Sequence, residues 1–183
     1  MKSTRKSILM AMIAVAMMAG CKKDEPAPVE DNENLTTVKL KFTESGTTST
    51  FTFKDLDGAG GNAPTIEKIS LKPNKTYTMV VEILDETKKP VETISDAIYD
   101  ERDQHLFEYV PTPATILSVT TTDKDTRGLP VGLTASVKTT ATGTGKLRVV
   151  LHHQPPVGGK IIKTGAFNLG SIDFDGTYDV EVK

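Results

Sequence analysis

From Leu35 onward, polar and apolar residues alternate with a period of two. Val38, Leu40 and Phe42 are separated by Lys39 and Lys41, the pattern of a strand with one dry face and one wet face. Glu44-Ser45-Gly46 reads as a hairpin turn, after which Phe51 and Phe53 give the returning strand its apolar side. Ile66, Ile69 and Leu71 mark a third run, whose spacing calls for a bulge. Pro73-Asn74 then turns the chain into Tyr77, Met79, Val81 and Ile83, the cleanest alternation in the sequence. Further strands are expected over 105–110, 115–122, 133–139 and 147–153, and a last one over 173–182, broken at Gly176. Only Ile94, Ala97 and Ile98 stand at helical spacing, with Thr93 or Ser95 as the cap, which fits one short helix on a connection between sheets. Eight or nine short strands separated by turn residues predict an all-β fold over residues 35–183. The expected architecture is a single antiparallel β-sandwich, Ig-like or Greek-key, with one short helix.

Residues 1–34 follow a different pattern. Lys2, Arg5 and Lys6 precede an apolar run from Ile8 to Met18, and the small pair Ala19-Gly20 precedes Cys21. This order is that of a secretory signal peptide. The run is eleven residues, well short of the roughly 20 that a helix needs to span a bilayer. With the cysteine directly after the small pair, the segment resembles a bacterial lipobox. That resemblance implies cleavage before Cys21, acylation of Cys21 with chains such as palmitate, and attachment to a membrane. The division expected is a lipoprotein signal peptide over 1–20, a disordered tether over 21–34 lipidated at Cys21, and the sandwich over 35–183. The tether carries five acids and no aromatic residue, too little apolar area to order itself.

Composition narrows the function further. Cleavage leaves 163 residues, enough for one domain with a sizeable core. The signal segment holds three of the 22 Lys and Arg residues and none of the 24 acids, so the net charge falls from −2 to −5. An acidic chain with no basic cluster beyond Lys22-Lys23 is not built for nucleic acid. Lipidation of the one cysteine would leave none for an internal disulfide, a catalytic thiolate or an iron–sulfur cluster. No Gly-x-Ser-x-Gly, His-Glu-x-x-His or Gly-x-Gly-x-x-Gly motif is present, and a non-enzymatic role is expected. With no Trp and four Tyr, a stacking platform for sugar rings is poorly supplied.

Two sets of residues are candidates for binding. Asp55-Leu56-Asp57-Gly58 opens like a calcium loop, but Ala59 and Ile66 occupy the positions where such a loop needs oxygen ligands. Asp55 and Asp57 are therefore either a cation turn or plain turn formers. Asp123-Lys-Asp125 and Asp173-Phe-Asp175 echo them at other strand ends. The histidines are the second set. His105 shares strand parity with Phe107 and Tyr109, and His153 with Leu147, Val149 and Leu151, while His152 joins Arg148. Adjacent histidines in a regular strand cannot chelate one ion together. A site would take one of them with His105 and a carboxylate, Glu108 or Asp103. His152 is the expected partner, because His153 has the apolar parity. His105, His152 and Glu108 thus form the expected set for zinc or copper; the other reading is hydrogen-bonded histidines near a sheet rim.

Several stretches together carry a family resemblance. They are Asp55-Leu-Asp57-Gly with Gly61-Asn-Ala-Pro64, Leu71-Lys-Pro-Asn-Lys-Thr-Tyr77, Leu84-Asp-Glu-Thr87 with Pro90, His105 with Phe107, Asp123-Lys-Asp125 with Gly128 and Gly132-Leu133, and Leu147 to Pro155. The set resembles small Bacteroidetes outer-membrane lipoproteins associated with TonB-dependent receptors, and Lys23-Asp24-Glu25 resembles a surface-export tag of that phylum. Some of these proteins are labelled type 1 periplasmic-binding folds, but that fold alternates strands with long helices, which this chain lacks. The resemblance implies a lipid-anchored, surface-exposed binding or accessory module for nutrient or metal uptake with a TonB-dependent receptor. The alternative is a structural or adhesive cell-surface lipoprotein.

Overall fold

In the computed structural model, the described residues are 34–183 except Ala59. The segments expected to be a signal peptide and a tether, with Cys21, lie outside them up to residue 33. No helix among the described residues is long and apolar enough to cross a membrane.

The chain enters along β1 (Thr37–Glu44) and reverses through Ser45 and Gly46 into β2 (Thr47–Lys54). Both turn residues have positive φ, 50° and 81°, and Glu44 stands opposite Thr47. This is a two-residue hairpin of the primed type, whose twist matches the strands it joins. The expected third run is divided between the two sheets. β3 (Thr65–Ile66) pairs with β2, whereas β4 (Ile69–Leu71) crosses over to the second sheet. What resembles a bulge in the sequence is therefore a change of sheet. β5 (Thr76–Asp85), β6 (Glu92–Thr93) and helix α1 (Ile94–Asp100) follow. After them come β7 (His105–Thr112), β8 (Leu117–Thr121), β9 (Thr134–Thr139), β10 (Gly143–His153) and β11 (Ser171–Val182).

One sheet runs β3-β2-β1-β5-β9-β8, with β6 paired to β5, and the other runs β4-β11-β10-β7. The fold is an all-β sandwich, as the alternation predicts. Among the described residues, the eleven strands include three of only two or three residues, β3, β4 and β6. Among the described residues, every strand pairing is antiparallel except β4 with β11, which is parallel. Helix α1 lies on the connection from the first sheet to the second, as expected, and buries Ile94 and Ile98. Thr93 is its N-cap but makes no side-chain capping bond.

The inward residues are those selected by period two. Val38, Leu40 and Phe42 of β1 and Tyr77, Met79, Val81 and Ile83 of β5 join one core with Leu147, Val149 and Leu151 of β10 and Tyr178, Val180 and Val182 of β11. Tyr178 is completely buried and donates its hydroxyl to the Val38 carbonyl at 2.9 Å, tying β11 to the facing sheet. β11 is not broken at Gly176. That glycine lies opposite Val149, and the Phe174 ring folds over it: a Cβ there would come within 2.4 Å of Phe174 Cζ and 3.1 Å of Phe53 Cδ2. Phe174 in turn meets Phe53 edge to face, with centroids 5.1 Å apart, so the missing side chain makes room for an aromatic contact between the sheets.

Candidate functional site

The end of β10 and the start of β7 are in register, so His153 stands directly opposite His105. Opposed residues of an antiparallel pair share a face. The two imidazoles stack, with centroids 4.6 Å apart and planes 10° from parallel. On its other side, β10 pairs with β11, and there the register steps from Leu151 opposite Phe174 to His152 opposite Ile172. Asp173 is the extra residue of a β-bulge, a device that re-aims a side chain. Its Oδ2 lies 3.7 Å from His105 Nε2 and 3.8 Å from His153 Nδ1.

Helix α1 brings a second carboxylate. Glu101 is its C-cap, and one oxygen of Glu101 and one ring nitrogen from each of His105 and His153 lie within 4.8 Å of one another. The backbone carbonyl of Glu101 is 3.2 Å from His105 Nδ1. A carbonyl can only accept, so the hydrogen-bond network assigns the proton to Nδ1 and leaves the lone pair on Nε2. His105 is buried. Burial first, then the neighbouring His153, pushes its pKa down to about 4. It is thus neutral at neutral pH, the form that coordinates metals.

His152 belongs to the other face. It stands opposite Leu106, its Nε2 is 3.1 Å from Glu108 Oε2, and the Phe167 ring lies 5.5 Å away. The expected set of His105, His152 and Glu108 is therefore divided: His152 and Glu108 come together, while His105 meets His153. The reason is parity. His105 has the parity of Phe107 and His153 that of Leu151, and both Phe107 and Leu151 are core residues, so the two histidines converge at one end of the core. The apolar parity of His153, which argues against it in the sequence, is what brings it to His105. Asp103 is engaged elsewhere, accepting from Thr126 N at 2.9 Å and Thr126 Oγ1 at 2.6 Å.

Asp55 and Asp57 act as turn formers. Asp55 Oδ1 accepts from Gly58 N at 2.9 Å, and Asp57 Oδ2 accepts from the backbone and side-chain nitrogens of Asn62 at 3.0 and 2.6 Å. Those bonds hold the Asp57 carboxyl below its ordinary pKa. The echoing pairs do comparable structural work. Asp123 accepts from Gly132 N and Leu133 N, and Asp175 makes a bidentate pair with Arg148. Asp173 is the member of the set that the bulge turns toward the histidines.

A buried ionic block, not foreseen in the sequence, supports the connections around the site. The Lys163 and Asp125 side chains are both fully buried, with Nζ 3.2 Å from Asp125 Oδ2, and Nζ also donates to the Arg102 carbonyl at 2.8 Å. Burial lowers the pKa of Lys163, opposed by its bond to Asp125. Burial would raise that of Asp125, but bonds from Leu129 N, Lys163 and Arg127 N hold it below the ordinary value. The Arg127 guanidinium binds the Lys163 and Asp103 carbonyls, both at 3.0 Å, and Asp125 Oδ2 at 3.1 Å. Lys163 has no periodic signal, because it sits in the irregular connection between β10 and β11.

Comparison with known proteins adds no relative: no family model, curated protein or solved structure matches the chain.

Proposed function

We propose that this protein is exported, cleaved before Cys21 and held at the outer membrane by acyl chains on that cysteine. There the sandwich acts as a non-enzymatic binding or accessory module for nutrient or metal uptake, alongside a TonB-dependent receptor. The observation that carries the reading is the order of charge, short apolar run and small residues from Met1 to Cys21. Each methylene of an acyl chain adds about 0.8 kcal/mol of membrane affinity, so two or more chains anchor firmly. The folded part supports a binding role, because imidazoles and carboxylates from β7, β10, β11 and α1 gather at one end of the sandwich.

The test is fractionation of cells producing the Cys21→Ala protein. It should be exported and should leave the membrane fraction, since the chains supply nearly all of its membrane affinity. A mutant that remains with the membranes would show that the lipobox reading is wrong. Crosslinking of the wild-type protein in intact cells should capture an outer-membrane receptor of the TonB-dependent class. Its absence from the crosslinked material would remove the receptor from the proposal.

A further inference from the structure

We propose that His105 Nε2, His153 Nδ1 and the Asp173 carboxylate, with Glu101 on the open side, bind a divalent ion of the zinc or copper class. This deepens the uptake reading by naming the ligand class and the residues. It rests on that reading only for its biological use, since coordination is a property of the folded sandwich.

The distances carry the proposal. An ion held by nitrogen and oxygen at about 2.0–2.1 Å in tetrahedral geometry places its donors about 3.4 Å apart. Asp173 Oδ2 is 3.7 Å from one imidazole nitrogen and 3.8 Å from the other, so these two oxygen–nitrogen separations need to close by only a few tenths of an ångström, while Glu101 and the two histidines offer donors within 4.8 Å of one another. Because imidazole lone pairs lie in the ring plane, the two stacked rings must also rotate out of their parallel arrangement for both nitrogens to face one ion. The Nδ1–H of His105 is already committed to the Glu101 carbonyl. This is the outer-shell bond that fixes the tautomer and orientation of a metal-binding histidine. The donor set is two imidazoles and two carboxylates, which suits zinc and copper rather than the hard cations that want oxygen alone.

Charge is consistent as well. Asp173 and Glu101 are carboxylates, the charge type that a doubly charged ion attracts. The site has a route to water, because Glu101 is exposed and Asp173 is partly so. The bulge is the decisive element. Without the extra residue in β11, Asp173 would keep the parity of Asp175, whose carboxylate faces away from the core toward Arg148.

The experiment uses the full chain, purified without a histidine tag from whichever fraction it occupies, stripped with chelator and titrated with zinc chloride and copper chloride by calorimetry. One ion per chain is expected. His105→Gln, His153→Gln and Asp173→Asn should each weaken binding by about tenfold or more, whereas His152→Gln should leave it unchanged. Asp173 is a partly exposed strand residue, so its variant keeps the test open if a histidine variant fails to fold. X-ray absorption of the zinc-loaded wild type is an independent readout and should show two imidazole ligands. Absence of binding at ~0.1 mM protein, binding unaffected by Asp173→Asn, or a spectrum without two imidazoles would overturn the site and leave a purely structural histidine pair. Membrane attachment of the Cys21 protein is scored separately, so failure of the anchor and failure of the site are distinguishable.

Discussion

Replacing Lys163 with methionine tests how the connections beside the histidines are held. The substitution keeps an unbranched chain of similar volume, so it creates little cavity, but it removes the buried ammonium that bonds the Arg102 carbonyl at 2.8 Å and Asp125 at 3.2 Å. Taking one partner from a buried ion pair costs about 3–5 kcal/mol, because the other charge stays buried without compensation. Here the compensation is only partly lost. Arg127 Nη2 remains 3.1 Å from Asp125 Oδ2, and Asp125 Oδ1 still accepts from Arg127 N at 2.9 Å and Leu129 N at 2.8 Å. The expected loss is therefore at the lower end, about 3 kcal/mol, a large part of the roughly 5–15 kcal/mol that holds an ordinary domain together. Asp125→Asn in the Lys163→Met background removes the remaining, partly compensated charge while keeping an oxygen for the two backbone donors. The double variant should recover about 1–2 kcal/mol relative to the sum of the single ones. Urea unfolding followed by far-ultraviolet circular dichroism measures both quantities. A loss below about 1 kcal/mol for Lys163→Met, or strictly additive losses, would refute the view that the pair anchors the β10–β11 connection.

Two further predictions concern the core and the histidines. Gly176→Ala should destabilise by about 1–3 kcal/mol, because the new methyl would meet Phe174 Cζ at 2.4 Å. Adding Phe174→Leu should relieve part of that loss, and a neutral Gly176→Ala in urea unfolding would show that the ring moves freely. For the metal-free protein, stability should fall as pH drops from about 6.5 to 4, since His105 takes up a proton in the unfolded chain at 6.5 but in the folded one only near 4. The contribution is fully present above the unfolded value and amounts to at most ~3 kcal/mol. Urea midpoints across that range should shift less in His105→Gln than in the wild type, and equal shifts would assign the acid sensitivity to other groups.

The period-two runs alone identify nearly every long strand and its buried face, from Val38, Leu40 and Phe42 in β1 to the alternation in β5. The reason is local: strand pleating converts parity directly into a choice between core and water. The same locality placed a short helix around Ile94, Ala97 and Ile98, which the structure extends to Asp100, and offered turn formation as one of two readings of Asp55 and Asp57, since Asx turns close within a few residues. Parity also held the clue to the histidine pair, because His105 and His153 each belong to an inward-facing row. What it could not supply was register. That β7 and β10 align so that His105 opposes His153 depends on strands almost fifty residues apart, and no local pattern encodes the offset. The bulge at Asp173 and the parallel pairing of β4 with β11 are likewise outcomes of fitting two twisted sheets together. Lys163 is the extreme case: a lysine in an irregular connection reads as a solvated charge, and only the tertiary structure buries it against Asp125, because a buried cation is tolerated only where distant parts of the chain supply its counter-charge and acceptors.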